Sequence, residues 1–218
     1  MIIHVYNCAQ NANLDVPIIV ATDDQLIAKT VNEYGGTALI TSNNHLSGSD
    51  RIFEALEKYA PSEKYKKIIH LQGDLPNISG ELIKNLAKII NDDKKDMVTI
   101  VVKATPDEFD DPSIVKAAIA FEKEYPDEND LGRALYFSRA CIPYGSLNIW
   151  HHIGIYAWQR DILKKYINLQ ISPLEKVEQL EQLRALEAGI DIHAMITYEH
   201  PIGVDTEVDL NKAIKYFQ

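Results

Sequence analysis

The chain has 218 residues, 46% hydrophobic and 25% charged, the composition of a globular protein long enough for one large core or a core with a lobe. Lys and Arg number 22 against 32 Asp and Glu, a formal net charge of −10, and no basic run supplies the electrostatic footprint that nucleic acid requires. Cys8 and Cys141 lie outside any CxxC or Cys/His spacing, the N-terminus lacks a signal-peptide pattern, and no apolar stretch approaches the ~18 residues of a spanning helix; reduced thiols and a cytoplasmic chain with no nucleic-acid or membrane partner are expected. In chain order, VPIIVATDD (16–24) is a β-branched strand run. Leu26, Ile27, Val31 and Tyr34 then recur with helical spacing up to a stop at Gly35-Gly36. TALITS (37–42) reads as a strand, SGSDRIFEALEKY (47–59) as a helix with Ile52, Ala55, Leu56 and Tyr59 on one face, and KIIHLQGD (67–74) as a strand. This alternation predicts a parallel sheet. A helix near 79–91 precedes strands near 97–104, 114–121, 133–140 and 151–158, which have little helix between them. That half is expected to add antiparallel strands, or a small lobe near 114–158, within a single domain spanning 1–218. The acidic stretch 121–133 reads as a solvated hairpin loop rather than a metal site. Helices over 159–167 and 174–189, a strand over 192–200 and a helix from Thr206 complete the chain.

Ligands of open parallel sheets bind outside the carboxyl ends of the strands, and IIHLQGDLPNI (68–78) brings Gln72 and Asp74 to such an end. A single carboxylate there suits Mg²⁺, which takes few carboxylates and completes its shell with phosphate or water oxygens, although a capped turn explains Asp74 equally. Asp205 follows another short apolar run. Alone it reads as a helix cap, with Thr206 as the alternative cap; together, Asp74 and Asp205 would clamp a metal that bridges phosphates. In WHHIGIYAW (150–158) strand alternation sets His152, Gly154 and Tyr156 on one face and His151, Ile153 and Ile155 on the other. His152 and Tyr156 fit either a grip on a polyhydroxy substrate or a satisfied core. In SPLEKVEQLEQLRALEAG (172–189), Leu174, Val177, Leu180, Leu183 and Leu186 form an apolar stripe, which leaves Glu178, Glu181, Gln182 and Arg184 as a solvated face.

The blocks SGSDR, LQGDLP, ALYFSRACIP, HHIGIYAW, SPLEKVEQLEQLRALEAG and GVDTEVDL, in that order, resemble the 3-deoxy-manno-octulosonate (Kdo) cytidylyltransferases from Met1 to the last helix. The resemblance implies an α/β fold of the nucleotide-diphospho-sugar transferase type, Rossmann-like, with a mostly parallel central sheet flanked by helices. It implies transfer of CMP from CTP to the anomeric hydroxyl of Kdo, giving CMP-Kdo and pyrophosphate for lipopolysaccharide synthesis, with Mg²⁺ and as a homodimer. Residue by residue, it makes Asp74 and Asp205 the catalytic metal ligands and puts Gln72, Arg139, His152, Tyr156, Glu178 and Gln182 around the sugar acid. It sets Ser47, Gly48 and Arg51 beside the nucleotide, with Asp50 in place of the usual Glu. These residue types suit such roles: arginine pairs a carboxylate in two-pronged fashion, Gln, His and Tyr exchange hydrogen bonds with hydroxyls, and nucleotidyl transfer asks mainly for positioning and charge neutralisation. Against the family's pattern, Leu75 replaces a common Glu and His151 a common Arg. Met1 aligns within the family's first helix region, so the first strand and the loop that cradles the triphosphate are expected to be absent and catalysis weak. Two other readings share these residues: a non-catalytic homologue that binds the sugar acid or dimerises, and a cytidylyltransferase for another sugar acid, which the YFSRA and LEQLR blocks disfavour.

Overall fold

The computed structural model describes residues 1–61, 64–204 and 206–217. Among them run α1 (Ile2–Asn11), β1 (Ile19–Thr22), α2 (Gln25–Glu33), β2 (Thr37–Ile40), α3 (Gly48–Tyr59), β3 (Lys67–His70), α4 (Gly80–Ile90), β4 (Met97–Lys103), β5 (Lys116–Ala120), β6 (Leu131–Ser138), β7 (Trp150–Gln159), α5 (Arg160–Ile167), α6 (Pro173–Glu178), α7 (Gln182–Glu187), β8 (Ile192–Thr197) and α8 (Glu207–Tyr216). They gather into two compact units, the first Met1–Lys66, His70–Asn85 and Pro201–Gln218, the second Lys67–Ile69 and Leu86–His200.

In the first unit β1 and β2 pair in parallel, from Ile19 opposite Thr37 to Thr22 opposite Ile40. The residue pattern explains why each strand turns into a helix. Asp24 begins α2 by accepting hydrogen bonds from the amides of Leu26 at 2.6 Å and Ile27 at 3.1 Å, and Ser47 begins α3 by accepting from the Asp50 amide at 3.2 Å. Val31, Ala28 and Ala55 bury the inner faces of these helices. At α8 the cap is Thr206, whose Oγ1 accepts from the Asp209 amide at 3.2 Å while the Asp209 carboxylate accepts from the Thr206 amide, also at 3.2 Å.

The second unit carries the larger core. Met97 to Val102 of β4 are all buried, as a strand covered on both faces requires, with Thr99 the polar residue among them. β4 lies between β7, antiparallel, and β8, parallel, in a six-stranded sheet ordered β3-β7-β4-β8-β6-β5. β5 also pairs with β7 at Lys116–His151 and Ala117–Trp150, so β7, β4, β8, β6 and β5 close a circuit. The fold is α/β as expected, with antiparallel strands in the second half, but the sheet is mixed rather than mostly parallel. β5 and β6 are joined by the acidic stretch alone, and a connection without a crossover helix returns its strand antiparallel.

Two local expectations give way. The single helix over 174–189 is two helices, α6 and α7, because Gln179 adopts a left-handed conformation at φ 55°, ψ 46° that ends α6. The break turns the first half of the stripe outward: Val177 is 81% exposed, whereas Gln182 and Arg184, expected in solvent, are buried. In β7 the register against β4 shifts, Tyr156 facing Thr99 and Ile153 facing Ile100, which leaves Gly154 and Ile155 as a bulge. Strict alternation is lost there, and His152, Ile153, Ile155 and Tyr156 are all buried.

Candidate functional site

In the first unit the nucleotide candidates share one helix start. Ser47 is the N-cap of α3, Gly48 its first residue, and Arg51 lies in its first turn. The Arg51 guanidinium is fixed by three groups just past the carboxyl ends of β1 and β2: Asp23 at 3.2 Å, the Thr41 hydroxyl at 2.8 Å and the Ser42 carbonyl at 3.3 Å. Strand ends, a helix N-terminus and a held cation together make ordinary anion-binding surroundings. Gly48 leaves room for a ring: a Cβ there would lie 2.9 Å from Cε1 of His70, whose buried imidazole is pushed down to a pKa of about 4 by loss of water.

Gln72 and Asp74 follow β3 directly and are half-buried. The Asp74 carbonyl accepts from the Val204 amide at 3.0 Å, and Asn77 Oδ1 accepts from the Ile202 amide at 2.7 Å, so the chain just before position 205 is tied to the Asp74 segment. Asp205 itself lies outside the described residues. Among the described residues no group of three or more His, Cys, Asp or Glu could hold a metal ion. Two carboxylates such as Asp74 and Asp205 are the donor chemistry that a hard cation takes when phosphate and water complete its shell.

In the second unit Arg139 and Glu178 are brought together. The Glu178 carboxylate accepts from the Ser138 hydroxyl at 2.7 Å and the Arg139 amide at 2.9 Å, and it bonds the Tyr136 phenol; burial first, then the Glu178 charge, raise the Tyr136 pKa. The Arg139 side chain is held by carbonyls: Nε donates to Glu178 O at 2.9 Å, Nη1 to Pro112 O at 2.9 Å and Nη2 to Gln179 O at 3.4 Å. A guanidinium has five N–H groups, so one remains on each Nη for a ligand, the count a carboxylate uses. Glu178 thus acts on Arg139 from beneath, as the last residue of α6 before the Gln179 break.

His152 and Tyr156 are 6% and 2% exposed, with ring centroids 5.6 Å apart in a row that includes Phe137 and Trp158. Thr99 Oγ1 lies 2.8 Å from Ile155 O, 3.2 Å from Ile153 O and 2.9 Å from His152 Nε2. Its single proton goes to a carbonyl, so Oγ1 accepts from Nε2–H and the imidazole is the Nε2–H tautomer with an acceptor at Nδ1. Burial, with His151 nearby, pushes the His152 pKa down to about 3 and holds the ring neutral. Gln182 is buried at the start of α7, which the Glu175–Arg184 ion pair, at 2.6 Å, fastens to α6.

Residue reasoning missed Thr99, Lys116 and Ser138. The first two carried a signal: a lone Thr in MVTIVVKA and a lone Lys in IVKAAIAF are polar residues inside apolar strand runs, which burial tolerates only with partners. Ser138 carried none.

Residues 1–192 match the cytidylyltransferase family. The 3-deoxy-manno-octulosonate cytidylyltransferases of Brucella ovis and Nitrobacter hamburgensis are each 42% identical to this chain, over 217 and 214 residues; each match covers 98% of the chain and 83% and 81% of the relative, respectively. A CMP:2-keto-3-deoxy-manno-octonic acid synthetase solved in complex with CTP superposes with a TM-score of 0.87 at 34% identity, over 99% of this chain and 86% of that one. The UTP-bound UGPase of Acinetobacter baumannii, at 14% identity and a TM-score of 0.66 over 99% of this chain and 81% of its own, shares the fold. Matched along nearly its whole length at this identity, the chain belongs to the 3-deoxy-manno-octulosonate cytidylyltransferases, a family of nucleotidyl-transferring enzymes.

Proposed function

We infer that the chain transfers CMP from CTP to Kdo. The anomeric oxygen of Kdo bonds to the α-phosphorus of CTP, its proton is released, and pyrophosphate leaves as the α–β phosphoanhydride bond breaks. The observation that carries this reading is the near-complete match to Kdo cytidylyltransferases, and the chemistry of the two units agrees with it. Arg139 pairs the Kdo carboxylate through its two remaining N–H groups, steadied by Glu178. In this reading Gln182 and Tyr156 of the second unit serve sugar hydroxyls, and His152 offers Nδ1 as an acceptor. Ser47, Gly48 and Arg51 present the α3 N-terminus and a fixed cation to the nucleotide. Asp74 with Asp205 would hold a divalent cation, Mg²⁺ in this reading, whose chemistry when bound is neutralisation of phosphate charge. The reading includes a homodimer working in the cytoplasm, for which light scattering of the purified protein is the direct check.

The test is pyrophosphate release from CTP and Mg²⁺ with Kdo, N-acetylneuraminate or a neutral hexose as acceptor. Release with Kdo, falling by about 10²-fold or more in Asp74→Asn, is expected. Release only with the sialic acid, or none with Kdo by a folded chain, would overturn the assignment.

A further inference from the structure

Lys116 is fully buried, and its ammonium has three N–H groups. They meet three backbone carbonyls: Asp111 O at 2.5 Å, Ile114 O at 2.8 Å and Arg139 O at 3.0 Å. The first two belong to the turn that leads into β5, and the third to the residue just past β6. Arg139 grips the same turn from its other end, because its Nη1 donates to Pro112 O at 2.9 Å. One short turn is therefore held twice, by the Lys116 ammonium and by the Arg139 guanidinium, while Lys116 also holds the Arg139 main chain. Lys116 sits where the strand circuit closes, opposite Ser138 of β6 and His151 of β7. Ser138 in turn donates to Glu178, whose carboxylate accepts from the Arg139 amide. A seam between strands needs only an apolar side chain; a desolvated cation costs far more and is kept where its three donors have work.

We propose that Lys116 is a positioning residue for the sugar-acid site: its buried ammonium fixes the Arg139 main chain and the Asp111–Ile114 turn, and so aims the Arg139 guanidinium at the incoming carboxylate. The proposal rests on the reading that Arg139 receives that carboxylate. Without the ammonium, Pro112 O is no longer a fixed acceptor and the Arg139 carbonyl loses its donor, so the guanidinium samples orientations in which its two remaining N–H groups do not meet one carboxylate. CTP recognition involves none of these groups.

The experiment is steady-state pyrophosphate release by the full chain for Lys116→Met, Arg139→Ala and the double variant, with KM for Kdo and for CTP determined separately. Lys116→Met is expected to raise KM for Kdo by about tenfold or more, with KM for CTP within about twofold of wild type. In the Arg139→Ala background the same substitution should change KM for Kdo by less than about twofold, since the group it positions is gone. Lys116→Gln, which keeps two N–H donors, should fall between wild type and Lys116→Met and serves if the methionine chain does not fold. Unchanged KM values with a lowered kcat or melting temperature would make Lys116 a purely structural seam and overturn the proposal. Equal effects of Lys116→Met in both Arg139 backgrounds would overturn it too. If Arg139→Ala alone leaves KM for Kdo unchanged, the carboxylate reading itself falls, and the proposal with it.

Discussion

The hairpin of α6 and α7 carries Glu178 and Gln182, and what holds it is a buried charge pair. Arg184 Nε and Nη2 meet the two oxygens of Glu175 at 2.7 and 2.6 Å, and the two residues are 5% and 8% exposed. The guanidinium also lies 4.7 Å over the Tyr166 ring, and Glu175 Oε2 accepts from the Ser172 amide at 3.2 Å to complete a capping box. Arg184→Met removes one partner and strands a carboxylate in the core, a loss of ~3–5 kcal/mol. At ~2–4 °C per kcal/mol for a chain of this size, the melting temperature should fall by roughly 6–20 °C. Glu175→Leu in the same chain removes the stranded charge, leaving a lost cap of ~1 kcal/mol and two apolar side chains of similar volume. The double variant should therefore be more stable than Arg184→Met, with a coupling of about 2 kcal/mol or more. Urea unfolding followed by tryptophan fluorescence reads this locally, because Trp158 packs on Tyr166 with ring centroids 5.1 Å apart. A single Arg184→Met cost below about 1 kcal/mol, or a double variant equal to the sum of the singles, would refute the reasoning.

Two further outcomes follow from the buried histidines and a tight glycine. His152 and His70 keep folded pKa values of about 3 and about 4, below the ~6.5 of an exposed imidazole. The unfolded chain binds the extra protons, so stability is full above pH ~6.5 and is lost as pH falls toward 4 and then 3, by ~2 kcal/mol per histidine between pH 7 and 5. His152→Gln, which keeps an N–H for Thr99, should flatten the pH dependence of urea stability by one proton; an unaltered slope would show that His152 is not the titrating group. Gly48→Ala drives a Cβ to 2.9 Å from His70 Cε1 and 3.1 Å from Nε2, atoms of a ring 5% exposed with little room to yield. Such overpacking costs ~1–3 kcal/mol and shifts the α3 start, so KM for CTP should rise while KM for Kdo stays. An unchanged KM for CTP would detach this helix N-terminus from nucleotide binding.

Much of the fold was legible because local rules and tertiary packing agree. The alternation from Val16 to Asp74 reads as strand–helix–strand since each strand end carries its own helix cap, Asp24 after β1 and Ser47 before α3. The α6–α7 break was not legible. EKVEQLEQL has continuous helical periodicity and no Gly or Pro, so nothing local marks Gln179 as left-handed; in the folded chain the break goes with a buried Glu175–Arg184 pair and an exposed Val177. Likewise the bulge at Gly154 depends on β7 meeting β4, a contact between residues far apart in the chain.

The candidate site divides along the same line. Arg139 and Glu178 could be named from their blocks, but that Glu178 holds the Arg139 main chain, and that backbone carbonyls aim the guanidinium, are facts of two segments meeting. Backbone acceptors leave no mark in sequence, because any residue can supply a carbonyl. That is why Lys116 looked like an interruption in IVKAAIAF when each of its three N–H groups meets a backbone carbonyl. The general signal is the mismatch itself: a charge inside an apolar strand run must be neutralised or fully bonded, and with three donors and no carboxylate beside it in sequence, a lysine seeks carbonyls at strand ends. A lysine buried at a strand seam is therefore a reason to look for a site at the residue whose carbonyl it holds.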